Sequence, residues 1–250
     1  MRTVQATRYV TPLREGGSLP GLVEADDDGL YVLKFRGAGQ GAKALLAELV
    51  VGELARAAGL PVPEIVFVEL DPELGRAEPD PEIQELIAAS GGLNVGLDFL
   101  PGAITYNPAA GAAPESGLAA AIVWLDAYCT NVDRSPQNPN LLRWHGRLWL
   151  IDHGAALYRQ HSWQDPPTEA RRPFAAIRGH VLLPCAASIA EADERLAPAM
   201  NGGLVDDVLA RVPREWFEPH RPDDYAEYLR RRLEPPRAFV AEAEEARRAA

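Results

Sequence analysis

Cysteine is almost missing from this 250-residue chain: Cys129 and Cys185 are the only two, and no C-x-x-C occurs. A disulfide framework or a thiolate zinc site is therefore not expected, and a reducing cytoplasm is the simplest home. No H-E-x-x-H occurs either, so zinc is not expected; His153 is expected to pack or hydrogen-bond so as to hold its loop, and His161 to be a loop residue. No apolar run reaches the ~18 residues of a membrane span. The opening stretch, MRTVQATRYVTPLREGG, lacks the apolar segment of a signal peptide. Positive charge is scarce, with 25 Lys and Arg against 36 Asp and Glu, a net charge of -11 and a pI near 5.0. That balance argues against general nucleic-acid binding, which needs a basic face, but allows a local basic pocket for phosphates. No internal repeat is visible.

What the chain does contain is a dense constellation from Asn131 to Gly154, NVDRSPQNPNLLRWHGRLWLIDHG. Leu141 to Trp144 and Leu148 to Ile151 are apolar-rich runs. His145-Gly146 lies between them, and glycine supplies the positive φ of a tight turn. A two-residue loop sets Trp144 opposite Arg147 and, counting back, Pro139 opposite Asp152. The Asp152 carboxylate and the Asn138 amide then meet at the open end of a hairpin, two hard oxygen donors of the kind Mg2+ takes. Asp133 lies just upstream, on the loop entering the hairpin. An acid beside a two-donor metal site is an arrangement that phosphoryl transfer uses. An Asx-rich turn capping a hairpin is the bland alternative.

The rest of the chain supplies elements around this centre. Residues 1–13 read as a strand, followed by Glu15-Gly16-Gly17-Ser18-Leu19-Pro20-Gly21. That stretch is a hairpin turn or, because glycines let backbone N–H groups approach an anion, a phosphate-covering loop. It is not a Walker sequence, since no G-K-[ST] follows. Strands are expected over Gly21–Glu24 and Leu30–Phe35, the second placing Val32 and Lys34 on the face opposite Tyr31, Leu33 and Phe35. A lysine on an otherwise apolar strand needs either solvent or a partner. Residues 42–58 form a helix stopped by Gly59, with Pro61 and Pro63 barring its resumption. Glu48 and Glu53 on this helix are both candidate partners for Lys34.

Glu64–Leu70 and Leu93–Leu100 read as strands. Between them, residues 71–90 form an acidic, Pro-rich surface excursion ending in a short helix. Residues 115–130 form a nearly all-apolar helix, expected to be buried, with Asp126 as a hydrogen-bonded structural acid and Trp124 and Tyr128 in the core. Arg134 either steadies the loop, meets a transferring phosphate or is solvated. Residues 174–250 read as helical, with breaks at Pro184, Gly202-Gly203, Pro213 and Pro235-Pro236.

Asn131-Val132-Asp133-Arg134 to Asn138, followed by Leu148 to Gly154 with its Asp152-His153-Gly154, resembles the catalytic and metal-binding loops of the HipA-like kinases. That family shares a protein-kinase-like fold with the phosphatidylinositol kinases. The resemblance implies an α+β, two-lobed kinase-like fold. A small β-rich lobe with one helix would span residues 1–102, and a mainly helical lobe residues 103–250. It implies ATP and Mg2+ as cofactors. Asp133 would be the base that positions and deprotonates an acceptor hydroxyl, and Asn138 and Asp152 the metal ligands. Gly16, Gly17, Ser18 and Lys34 would hold the nucleotide phosphates. Asp98, Phe99 and Leu100 would form the hinge that takes adenine. The matching partner acid of Lys34 falls on Glu48, with Glu53 as the rival.

The implied activity is that of a serine/threonine protein kinase. A lipid-headgroup or small-metabolite kinase and a non-catalytic nucleotide-binding module are the alternatives. The implied partners are a protein or small-molecule phosphate acceptor and a small, antitoxin-like regulatory protein. The segment after Gly154 lacks the Ala-Pro-Glu of ordinary protein kinases, so their mode of peptide docking is not implied.

Overall fold

In the computed structural model, residues 1–13, 19–163, 165–200 and 202–250 are described. Five strands close into a barrel: β1 (Thr3–Pro12), β2 (Gly21–Ala25), β3 (Leu30–Lys34), β4 (Ile65–Leu70) and β5 (Gly92–Asp98). Their order around the barrel is β1-β2-β3-β5-β4. All neighbours are antiparallel except β1 and β4, the parallel pair that completes the ring. Period-two alternation decides which residues fill it. Tyr31, Leu33 and Phe35 are buried there with Val4, Val23, Val66 and Val68. Val32 and Lys34 lie on the other face, in register with Leu97 and Val95.

Helix α1 (Ala42–Ala57) follows β3 and ends as its sequence requires. Gly59 takes a φ of 76°. Gly59 N–H donates to Arg56 O and Leu60 N–H to Ala55 O, both at 3.0 Å. This pair of bonds satisfies carbonyls of the last turn, and the left-handed position between them favours glycine. Leu45, Leu49, Val50 and Leu54 of α1 are fully or almost fully buried. Together with Ile65, Phe67, Val95 and Leu97 on the outer face of the barrel, they join the core built around the C-terminal helices.

The stretch before residue 102 holds two α-helices rather than one. Helix α2 (Pro81–Ala89) is capped by Asp80, whose side chain accepts from Glu82 N, and has Pro81 at its first position. It is also more than a surface excursion. Ile83 and Ile87, one helical turn apart, are buried in the barrel core, and each contributes the ~1.5–3 kcal/mol of a buried large apolar side chain.

Helix α3 (Ser116–Tyr128) has every residue from Ala119 to Tyr128 buried, as its apolar composition predicts. Trp124 and Tyr128 stack with ring centroids 5.2 Å apart. A second, small sheet consists of β6 (Ile104–Thr105), β7 (Leu141–Trp144) and β8 (Arg147–Leu150). The β7–β8 register is the expected one, Trp144 opposite Arg147 and Leu141 opposite Leu150. The remainder is helical: α4 (Pro166–Ala170), α5 (Ile189–Leu196), α6 (Gly202–Leu209), α7 (Pro222–Leu233) and α8 (Ala238–Ala249), with short 3-10 turns between. Gly202-Gly203 begins α6 rather than interrupting a helix. No helix among the described residues is long and apolar enough to cross a membrane.

Candidate active site

A cavity of about 1040 Å³ opens between the barrel and the β6–β8 sheet. Val32, Lys34 and Leu97 line it from the barrel. Asp98, Phe99 and Leu100 line it from the connection, and Asn138, Asn140, Ile151 and Asp152 from the hairpin mouth. Residues far apart in sequence therefore share one cavity. Gly16, Gly17 and Ser18 lie outside the described residues.

The hairpin brings its two ends together as its register requires. Ile151 N–H donates to Asn140 O at 3.1 Å, which sets Asn138 and Asp152 at the open end. Asp133 stands next to Asn138, whose Nδ2 donates to Asp133 Oδ2 at 2.8 Å. Asp152 adopts a left-handed φ of 54°, an uncommon backbone state for a residue with a side chain. Here it accompanies a carboxylate at the cavity wall.

Lys34 Nζ lies 2.8 Å from Asp152 Oδ1. Burial works against the lysine charge, but Asp152, Glu48 and Asp133 outweigh it, and the Lys34 pKa lies above its ordinary value. The expected direct Lys34–Glu48 pair does not form. Glu48, 1 % exposed, instead accepts from the backbone N–H of His153 at 2.9 Å and faces the His153 ring Nδ1 at 3.3 Å. The reason is proximity. Asp152 and His153 are consecutive, so the segment offers Lys34 a carboxylate and Glu48 a donor at once. Burial alone would raise the Glu48 carboxyl; the charge of Lys34 and the His153 hydrogen bonds hold it well below the ordinary range. Glu53 points away, paired with Arg211 and Arg56.

At the end of β5, the Asp98 side chain is turned toward the barrel rather than the cavity. The residue pairs opposite Tyr31, so its side chain shares the face of that inward ring. Burial and the neighbouring Glu64 push its carboxyl up. Asp98 N–H donates to Glu64 O and Phe99 N–H to Leu30 O, both at 2.9 Å.

Beneath the loop lies a buried polar hub. Arg134 and Asp126 are fully buried and paired, Nε to Oδ2 at 2.5 Å. The Arg134 Nη1 also donates to Asn140 O, and to Ile151 O at 3.4 Å. His180 Nε2 donates to Asp126 Oδ2 at 2.9 Å while its Nδ1 accepts from Leu182 N–H. Burial raises the Asp126 carboxyl, but Arg134 and His180 pull it far below its ordinary range. Arg134 thus steadies the loop from inside and is not solvated. Arg232 does similar work one layer deeper: at 1 % exposure, it donates to Ala127 O, Tyr128 O and Ala170 O.

Sequence reasoning passed over His180, Arg232 and Asn140. For Asn140 a local signal existed, since the N-P-N of residues 138–140 repeats an amide beside the hairpin mouth. Lys43 lies in the first turn of α1. Its Nζ is 3.4 Å from Gln160 O, and Gln160 Nε2 is 3.4 Å from Lys43 O. These contacts tie the start of α1 to the segment after Gly154.

The donors present suit a hard divalent cation. Asn138 turns its amide nitrogen to Asp133, which leaves its oxygen as the remaining donor atom, and Asp152 has a second carboxylate oxygen with its side chain 29 % exposed. Among the described residues no group of three His, Cys, Asp or Glu side chains could hold a metal. A two-donor site completed by phosphate oxygens and water is how Mg2+ is commonly held.

The family model described as HipA-like kinase matches residues 7–234. No curated protein matches the chain. Among solved structures, the chain is similar to the Helicobacter pylori proinflammatory kinase CtkA, with a TM-score of 0.56 and 13% identity over 98% of each chain. It is also similar to the Golgi casein kinase solved with Mn/ADP bound, with a TM-score of 0.54 and 14% identity over 98% of this chain and 74% of that one. At these identities the structural likeness speaks to the fold: kinase-like, of α+β type.

Proposed function

The chain belongs to the HipA-like kinase family and is a kinase; from that premise we propose that it is an ATP- and Mg2+-dependent phosphotransferase acting on serine or threonine hydroxyls of protein. The observation that carries this reading is the grouping of Lys34, Asn138 and Asp152 around one cavity, with Asp133 hydrogen-bonded to Asn138. Lys34 neutralises nucleotide phosphates, releasing Asp152 as it does so. Asn138 and Asp152 would hold Mg2+, and the charge it would supply there is one that offsets the transferring phosphate. Asp133 orients the acceptor hydroxyl and takes its proton, a role worth ~10²- to 10⁴-fold in rate. Backbone groups of Asp98 to Leu100 take the base; the phosphate-covering role that the family resemblance gives to Gly16, Gly17 and Ser18 falls on residues outside those described. That the Golgi casein kinase was solved with Mn/ADP bound supports nucleotide and divalent-metal use at such a site. The same assignment divides the chain into a nucleotide-binding lobe over residues 1–102 and an acceptor-binding lobe over 103–250.

A protein acceptor is favoured over a small one by the likeness to a kinase named for casein, a protein substrate. Transfer from labelled ATP into the protein, lipid and small-molecule fractions of a lysate tests the class. Label confined to the small-molecule or lipid fraction would replace this acceptor assignment. Asp133→Asn tests the chemistry: transfer within about threefold of wild type, at unchanged melting temperature, would remove the base role.

A further inference from the structure

We infer that Asn140 is a positioning residue that holds Asp133 so that one defined oxygen, Oδ1, receives the proton of the acceptor hydroxyl; the inference rests on the phosphotransfer reading above. Asn140 is 8% exposed. Its Nδ2 donates to the Asp133 backbone carbonyl at 3.0 Å and to Asp133 Oδ2 at 3.3 Å. Both of those partners are acceptors only, so the amide nitrogen, not its oxygen, must face them. Asn138 Nδ2 donates to the same Oδ2 at 2.8 Å. Two amides thus occupy one carboxylate oxygen, and among the described residues nothing donates to the other.

The backbone of Asn140 serves the same end. Its carbonyl accepts from Arg134 Nη1 and, at 3.1 Å, from Ile151 N–H, one residue before Asp152. Its φ is 47°, a left-handed state that asparagine tolerates better than most residues with side chains. One residue therefore fixes the backbone carbonyl and carboxylate of Asp133 through its side chain and the approach to Asp152 through its main chain. In the resulting step the acceptor oxygen bonds the γ-phosphorus and its proton passes to Asp133 Oδ1. The bond to ADP breaks, with its electron pair leaving on the β-phosphate oxygen.

Asn140→Gly removes the amide and keeps a residue suited to the left-handed backbone. Asn140→Asp keeps the shape and puts an acceptor where the donor stood. Each is measured against wild type with γ-labelled ATP, scoring transfer to casein and to the enzyme itself, alongside melting temperature and a ligand-free crystal structure of the glycine variant. The expected result is a kcat lower by about tenfold or more in Asn140→Gly, and lower still in Asn140→Asp, with KM for ATP within about twofold of wild type. A kcat within about threefold of wild type in both variants would overturn the inference, as would a fall in kcat matched by loss of ATP affinity and melting temperature. If wild type itself transfers no phosphate, the phosphotransfer reading fails instead, and the crystal structure decides the positioning role. Asp133 displaced from Asn138 upholds that role, and Asp133 unmoved removes it.

Discussion

Lys34 and Asp152 meet across the cavity, Nζ to Oδ1 at 2.8 Å, while Glu48 stands behind them, held by His153. The lysine answers Asp152, Glu48 and Asp133 together. Lys34→Met should therefore lower stability by about 2 kcal/mol. That is less than the loss of one partner from a wholly buried pair, because Asp152 remains partly solvated. In Lys34→Met/Asp152→Asn part of the loss should return. Urea unfolding of the four species of this cycle measures the coupling, and additive effects would deny it.

The choice of Glu48 over Glu53 has a kinetic and a pH consequence. Glu48→Gln should abolish transfer while Glu53→Gln, on the Arg211 side, should leave it within about twofold; the reverse pattern would exchange their roles. The Glu48 carboxyl has its folded pKa below the unfolded value of ~4.3. Its contribution to stability is thus complete above that unfolded value and is lost as pH falls through the lower folded one. Stability measured from pH ~5 downward should fall less steeply in Glu48→Gln than in wild type.

His180 adds a second acid-sensitive contact in a different window. Burial lowers its pKa, so the unfolded imidazole, at ~6.5, takes up a proton before the folded one does. Its contribution is complete above pH ~6.5 and is lost as pH falls through the folded value. His180→Asn should remove that portion of the decline between neutral and mildly acidic pH. An unchanged profile by chemical denaturation would assign the decline to other groups.

Calorimetry of ATP with and without Mg2+ tests the proposed metal donors. Wild type should bind ATP more tightly with Mg2+, and Asp152→Ala should lose the difference. Equal affinity in both conditions, in both proteins, would remove Asn138 and Asp152 from the metal.

Arg232 predicts a purely structural effect. It reaches the last carbonyls of α3 and the end of α4, and its guanidinium lies 4.8 Å from the Phe239 ring centroid. Arg232→Met would leave several buried carbonyls unpaired and should cost about 3 kcal/mol. A urea midpoint unchanged from wild type would show that water takes over its bonds.

The parts of this protein that could be read in advance are those fixed by neighbours in the chain. His145-Gly146 sets the hairpin register, and Gly59 with the prolines sets the end of α1. The apolar run before Asn131 sets a buried α3. Closure of the barrel could not be read, because β1 meets β4 in a parallel pair that no local pattern encodes. The structural role of α2 was hidden for the same reason, since Ile83 and Ile87 gain their meaning from the barrel core they join. At the site, local spacing suggested Asp133, Asn138 and Asp152, while the partner of Lys34 depended on how His153 and Asp152 divide two distant side chains. The Asp126–His180 contact, 54 residues apart in sequence, left only a buried acid to be expected.

Lys34 and Lys43 are the only lysines in the chain. One lies in the cavity beside Asp152 and the other at the α1 end that touches Gln160. Every other strongly basic side chain is a guanidinium, which amine-directed reagents leave alone. Apart from the terminal amine, an amine-directed acylating probe therefore has two targets in this chain, one in the cavity and one at the start of α1. A reagent normally used to tag surfaces indiscriminately then becomes a reporter of cavity occupancy, read as protection of Lys34 relative to Lys43.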